Sequence, residues 1–503
     1  MNALLIYPET PNTYWSFKHA LPFQGKRAAF PPLGLLTIAS MLPVHWKKRL
    51  VDTNVRPLTD ADLGWADVVL LSGMLVHKQS LLKILARCRA RGLRTVVGGP
   101  VTSSVEELRR HADHVVIGEA EELVSALARD LELGIAARVY RCHEFPDLSR
   151  TPLPDLSLIH PRHYSAMSIQ YSRGCPFNCE FCDIITLYGR KPRTKSPAQV
   201  VAELEQLYAR HWRGPVFIVD DNFIGNKPRV KELLPVLAEW NARRRRPFTF
   251  FTEASLNLAD DTELMQMMKD AGFIRVFVGI ETPVEASLRE AGKLQNLRRS
   301  LIESVRRIQR YGMEVMAGFI VGFDSDPEDV FDRHVQFIQE SSIPLAMVGL
   351  LQALPGTQLY CRLQREGRIV NEGQGDNTQC SLNFIPRIGL EQLVEGYRSV
   401  LRRIYDRDAY YDRVRRFLAQ YHPAQHARRS LSDYLALVRS LLRQGVFSEG
   451  RVSYWKFVLE AATRYRYAFD TAITLAIMGH HFQTLTRELC PPEYPRVSLP
   501  GTT

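Results

Sequence analysis

Apolar residues recur along the chain in two rhythms. Up to residue 143, short apolar runs at 3–7, 49–52, 67–72, 94–98 and 114–117 are separated by stretches of helical period such as 79–91 and 105–111. Strand-length runs alternating with helices predict βα units around a parallel sheet. Residues 144–165 hold Pro146, Pro152, Pro154 and Pro161 without a clear period and read as a linker. A second βα series follows, with strands expected at 168–171, 216–219, 249–252, 276–279, 318–321 and 347–351. Helices are expected between them, for example at 197–211, 262–271 and 297–311. Six such units predict a complete or partial parallel barrel whose site lies at the carboxyl ends of its strands. After residue 386 only helical patterns remain, at 391–419, 431–443 and 452–486. In the second, Leu431, Tyr434, Leu435, Val438, Leu441 and Leu442 form an i, i+3, i+4 stripe, which predicts a face packed into the core. The expected class is α/β, with domains 1–143, 166–386 and a helical 387–503.

The 503 residues are 45% hydrophobic and 24% charged, which excludes a mainly disordered or fibrous chain. No apolar run approaches the ~20 residues a membrane helix needs. The opening lacks a signal-peptide pattern, so a cytoplasmic protein is expected. The net charge is +11. From residue 381 onward there are 18 Lys and Arg against 11 Asp and Glu, and all but one of those cations are Arg. A basic excess favours anionic partners. No RNA-binding module accompanies it, so nucleic acid is not expected. The tail reads as a solvated helical surface suited to peripheral contact with the inner membrane.

Eight cysteines are too few for a disulfide scaffold. Three of them, Cys175, Cys179 and Cys182, are spaced C-x3-C-x2-C just after an expected strand. Three thiolates on one short loop suit three irons of a [4Fe–4S] cluster and leave the fourth iron open. A structural zinc site would call for a fourth Cys or His at knuckle spacing, and none is nearby. In the first sheet, the loops at the strand carboxyl ends are Asp52-Thr53-Asn54, Ser72-Gly73-Met74, Gly98-Gly99-Pro100 and Gly118-Glu119. Small residues there let a ligand approach the backbone, although tight βα turns need them as well. No G-x-G-x-x-G is present, so a nicotinamide or flavin site is not expected.

The triplet, with Phe181 before its last cysteine and six βα units behind it, resembles the radical S-adenosylmethionine superfamily. The resemblance implies that Cys175, Cys179 and Cys182 bind the cluster and that the open iron binds S-adenosylmethionine. Cleavage would then yield a 5′-deoxyadenosyl radical. Strand-end motifs agree: Asp220-Asp221-Asn222, Glu253-Ala254-Ser255, Gly279-Ile280-Glu281 and Gly318-Phe319-Ile320-Val321-Gly322. The usual Gly-Gly-Glu is absent. Asp220, Asn222, Glu253, Ser255, Glu281, Gly318 and Ile320 are the implied contacts to S-adenosylmethionine.

The preceding five-stranded domain makes the chain similar to the cobalamin-binding subgroup. That likeness implies a Rossmann-like cobalamin domain, with Asp52, Asn54, Ser72, Gly73, Gly98, Gly99, Pro100, Gly118 and Glu119 around the cofactor. No D-x-H-x-x-G is present, so a histidine ligand to cobalt is not expected, and His77 stands in the wrong context. Over nearly its whole length the chain most resembles the hopanoid C-2 methylase group. The resemblance implies transfer of a methyl group from methylcobalamin to an unactivated carbon of a hopanoid or other lipid. A flavodoxin or ferredoxin would supply electrons. The alternative is a cyclase or methylase acting on a tetrapyrrole or natural product.

Overall fold

The computed structural model describes residues 1–423 and 431–491. The first sheet has strands β1 (Asn2–Tyr7), β2 (Lys47–Asp52), β3 (Val68–Ser72), β4 (Arg94–Gly98), β5 (His114–Ile117) and β6 (Val139–Arg141). They run parallel in the order β2-β1-β3-β4-β5-β6. Five strands were expected. The sixth is a three-residue edge whose side chains are exposed or half-buried, so it has no apolar signature. The two faces of the sheet carry separate cores, one around Leu4, Ile6, Leu71 and Val97 and one around Ala3, Leu5, Leu70 and Val116.

The second series is β7 (Met167–Ile169), the antiparallel hairpin β8 (Ser172–Arg173) and β9 (Arg193–Thr194), then β10 (Gly214–Ile218), β11 (Phe248–Glu253), β12 (Phe273–Glu281), β13 (Glu314–Val321) and β14 (Leu345–Leu350). Apart from the hairpin these strands form one parallel sheet, β14-β13-β12-β11-β10-β7. Among the described residues β7 and β14 do not pair, so the series forms at most a partial barrel, open between these two edges.

Alternation along the strands sorts two faces. Val216, Ile218, Phe250, Val276 and Val278 are fully buried and share one core with helix residues such as Leu204, Leu234 and Met268. The opposite face carries Phe217, Phe251 and Phe277. Against it lie not helices but two side chains from the N-terminal segment. Trp15 meets Phe217 and Phe277 with ring centroids 6.2 and 5.1 Å apart, and Phe30 meets Phe217 at 5.1 Å. Nearer the amino ends of the strands, the buried pair Arg275–Glu314 (2.8 Å) closes this aromatic layer.

The tail consists of helices Leu390–Ile404, Arg407–Gln420, Leu431–Gly445, Arg451–Thr463 and Phe469–Leu489. The single helix expected over 391–419 breaks at Asp406, whose carboxylate accepts the N–H groups of Asp408 and Ala409 and caps a new helix. The tail shares the barrel core. Tyr405 binds across to β14, its hydroxyl taking the Ala346 N–H at 3.2 Å and donating to the Ala346 carbonyl at 2.5 Å.

One expectation is overturned. Helix Leu431–Gly445 packs through Ala436, Ser440, Gln444 and Gly445, and leaves Leu431, Tyr434, Leu435, Val438 and Leu442 42–75% exposed. Specific polar contacts decide the orientation. Ser440 Oγ pairs with Tyr454 OH at 2.8 Å, Gln444 Nε2 donates to Ser440 Oγ at 2.9 Å, and Arg439 donates to the Phe23 carbonyl at 3.0 Å. Only Leu441 of the expected stripe packs against the core. Among the described residues no helix is long and apolar enough to cross a membrane.

Candidate functional site

The cysteine loop leaves β8 and is held from three sides. Asp220, buried just beyond β10, uses both carboxylate oxygens on the start of the loop. They accept the Tyr171 N–H, the Ser172 N–H and the Ser172 hydroxyl at 2.7–2.8 Å. Burial pushes its carboxyl up to about 7. Asp221 takes the Gly174 N–H at 3.1 Å. The far side of the loop is held by Glu180, whose carboxylate binds Arg362 at 2.6 Å. Arg362 also reaches Glu290 and Asp324, the latter shared with Arg368. Between these anchors Cys179 is buried, and Cys175 and Cys182 are half-buried. Asn222 Nδ2 lies 3.8 Å from Cys175 Sγ, and its Oδ1 accepts the Ser255 N–H at 3.2 Å.

The ends of β11 to β13 bring charge to the same place. Glu281 ends β12 in the left-handed region, φ +67°, beside a register shift against β13. A non-glycine residue holds that conformation only where its surroundings enforce it. Here Lys293 does so, with Nζ 2.6 Å from Glu281 Oε1. Burial alone would lower the Lys293 ammonium, but the Glu281 carboxylate and the neighbouring Cys179 thiol outweigh it and raise it. Gly279 is required by this pair, because a Cβ there would collide with Glu281 Oε1 and lie 2.7 Å from Lys293 Nζ. Glu253 has no hydrogen bond or ion pair among the described residues. Burial, followed by the Asp221 and Asp220 carboxylates, pushes it up to about 8. Two more acceptors, Gln295 Oε1 and Asn296 Oδ1, are buried without a partner. Gly318 faces the Phe277 ring, and Ile320 is half-buried against the core.

Three acceptors without protein partners, beside a cation and three thiols, suit the ammonium and ribose hydroxyls of S-adenosylmethionine next to an anionic cluster. Among the described residues no three His, Cys, Asp or Glu side chains close on a single ion. A [4Fe–4S] cluster makes no such demand, since each thiolate takes a separate iron.

At the first sheet, the loops after β3 and β4 abut. Gly99 has φ +82°, and a Cβ there would collide with Ser72 Oγ. Ser72-Gly73 and Gly98-Gly99-Pro100 thus form a surface mainly of backbone, as a flat, amide-rich cofactor needs. The other expected cobalamin residues are engaged with protein. Asp52 accepts the Asn54 N–H (2.9 Å), Asn54 Nδ2 (2.8 Å) and the Tyr164 hydroxyl (3.1 Å). Glu119 binds Arg173 and Arg193, each at 2.5 Å, and Glu121 binds Arg173 at 2.7 Å. Gly118 sits beside Cys142. His77 Nδ1 accepts the Met74 N–H at 3.0 Å, which leaves Nε2 as the protonated nitrogen, 3.2 Å from Thr10 Oγ1.

Arg173 was visible in the stretch Tyr171-Ser172-Arg173-Gly174-Cys175, but its partners lie some 50 residues away. Lys293 and Arg362 carry no local signal at all.

Comparison with known proteins agrees with this geometry. Residues 27–128 match the B12 binding domain, 169–338 the radical SAM superfamily and 357–493 a domain of unknown function, DUF4070. An uncharacterized methyltransferase of Synechocystis sp. is 44% identical over 96% of this chain and 91% of its own length. The hopanoid C-2 methylase of Rhodopseudomonas palustris is 35% identical over 96% and 93%. In fold, the cobalamin-dependent S-adenosylmethionine radical enzyme OxsB superposes with TM-score 0.61 at 14% identity, over 97% of this chain and 80% of its own. The methyltransferase TsrM of Kitasatospora setae gives 0.55 at 15% identity, over 73% and 75%. The chain therefore belongs to the cobalamin-binding radical S-adenosylmethionine methyltransferases, enzymes that work with a [4Fe–4S] cluster, S-adenosylmethionine and cobalamin.

Proposed function

We propose that this methyltransferase moves a methyl group from methylcobalamin to an unactivated carbon of a polycyclic lipid of the hopanoid class. The observation that carries the reading is the aromatic layer of Trp15, Phe30, Phe217, Phe251 and Phe277, which lies inside the partial barrel below the acceptor-rich strand ends. An apolar ring system fits such a wall. The 35% identical relative, named as a hopanoid C-2 methylase, points the same way.

The bound cofactors would supply a carbon radical and a methyl group, and the protein would supply position and exclusion of water. Cys175, Cys179 and Cys182 would hold the cluster. Asn222 and Ser255 would order the ground beside Cys175. Glu253, Glu281 with Lys293, and the backbone around Gly318 and Ile320 would surround S-adenosylmethionine. Asp220 would act one step back, by fixing the start of the cysteine loop. Ser72, Gly73, Gly98, Gly99 and Pro100 would face cobalamin, while Gly118, packed beside Cys142, and the Asp52, Asn54 and Glu119 side chains stabilise the loops that carry them. A low-potential donor such as a flavodoxin or ferredoxin would supply the electron, and the enzyme would work in the cytoplasm at the edge of the inner membrane.

The test compares lipid extracts of cells with and without the gene. The expected result is loss of a methylated hopanoid and retention of the species lighter by one CH2. An unchanged hopanoid profile, with a tetrapyrrole or another natural product losing the CH2, would overturn the lipid reading and leave the methyltransferase intact.

A further inference from the structure

The inverted helix Leu431–Gly445 does not expose its apolar stripe alone. In the turn that follows, Val446 and Phe447 are 50% and 80% exposed, and in helix Arg451–Thr463 so are Val452 and Leu459, at 61% each. Trp455 joins the two helices by donating Nε1–H to the Gly445 carbonyl at 2.9 Å. A run of large apolar side chains this long, left facing water, marks a surface that meets something else.

The charge around it selects the partner. Residues 431–467 contain six Lys or Arg and three Asp or Glu. Arg443, Arg451 and Lys456 are exposed on these two helices, and Arg464 just beyond the second. Two copies of this face would bring like charges together. An anionic lipid surface would accept the apolar stripe and pair with the cations. Tyr434, Trp455 and Tyr467 are partly exposed amphipathic rings of the kind that settle at headgroup level. We infer that helices Leu431–Gly445 and Arg451–Thr463 dock this enzyme on an anionic phospholipid bilayer, lying in the interface plane.

The position of the face suits an apolar substrate. Helix Leu431–Gly445 packs on the N-terminal segment, where the Arg443 guanidinium lies 5.3 Å from the Phe23 ring centroid. That same segment carries Trp15 into the aromatic layer. The inference narrows the proposed membrane contact to one surface, and it rests on these helices rather than on the identity of the substrate.

The test uses the full-length reconstituted protein without substrate. It is sedimented with vesicles of phosphatidylglycerol and phosphatidylcholine in equal parts, or of phosphatidylcholine alone. The protein is expected to pellet with the anionic vesicles, less so as salt rises. Val438→Asp/Phe447→Asp should weaken binding about tenfold or more, and Arg451→Glu/Lys456→Glu should abolish the preference for anionic lipid. Leu133→Asp, at an exposed leucine of the first domain, should change nothing. Far-ultraviolet circular dichroism and iron content should match across all variants. Three results would overturn the inference: no pelleting of the wild type, equal pelleting of Val438→Asp/Phe447→Asp, or a wild-type dimer that this variant splits and no vesicle binding. A wild type that fails to pellet while hopanoid methylation in cells persists would sink the docking face and spare the proposed substrate.

Discussion

Lys293 shows what one residue contributes at the strand ends. It neutralises Glu281, which is buried and held in a left-handed conformation. Lys293→Met would leave that carboxylate without a partner, at a cost on the order of 3–5 kcal/mol. The expected outcome is a clearly lower thermal midpoint, partly restored by adding Glu281→Gln. No restoration would mean that Lys293 acts by packing rather than charge. His77 makes a different prediction. Burial lowers its imidazole to about 4 from the ordinary 6.5. The unfolded chain therefore takes up a proton near pH 6.5 that the folded chain refuses until about pH 4. The contribution is complete above 6.5 and is lost as pH falls through that window, by roughly 1.4 kcal/mol per unit. His480 and His481, also lowered to about 4, act in the same direction. Thermal melts from neutral pH downward should fall steeply, and His77→Phe should make the slope shallower. An equal slope in that variant would remove His77 from the account.

At the scale of elements, the ion cluster of Glu119, Glu121, Arg173 and Arg193 ties the loop after β5 to the hairpin β8–β9 that leads into Cys175. Weakening it should loosen the geometry between the two cofactors before it affects either site. Glu119→Gln is expected to keep iron and cobalamin content while forming several-fold less methylated product per 5′-deoxyadenosine. An unchanged ratio would reduce the cluster to a plain brace. The elements also show what was legible in advance. Eleven of the fourteen strands could be read to within a few residues because each carries an apolar run bounded by turns, whereas the short β6, β8 and β9 carry none; the cysteine spacing announced its loop. The orientation of helix Leu431–Gly445 could not be read. Its stripe shows which side is apolar, but Ser440, Gln444 and Arg439 find partners on the other side, and those partners lie in distant segments. Asp220 stood among the expected contacts to S-adenosylmethionine, but its hold on the start of the cysteine loop could not be read, because it depends on Tyr171 and Ser172 being brought under it.

For the whole molecule, the barrel and the tail share one continuous core while the first sheet keeps two of its own. The tail is therefore part of the barrel's foundation. Removing residues 387–503 would uncover the faces now covered by Tyr397, Val400, Leu401 and Ile404, and would take away the hydroxyl that bridges Ala346. The truncated chain is expected to be insoluble, whereas the full chain is not. A soluble, iron-loaded truncation would contradict the shared core.

The cluster around Arg173 also bears on recombination between relatives. A crossover in the linker would pair a foreign first sheet with this barrel, separating the two acidic residues from the two arginines they neutralise. Chimeras that inherit all four positions from one parent should accumulate as soluble protein, and those that split them should not. The unit of exchange in this fold is thus the domain together with two residues of its neighbour.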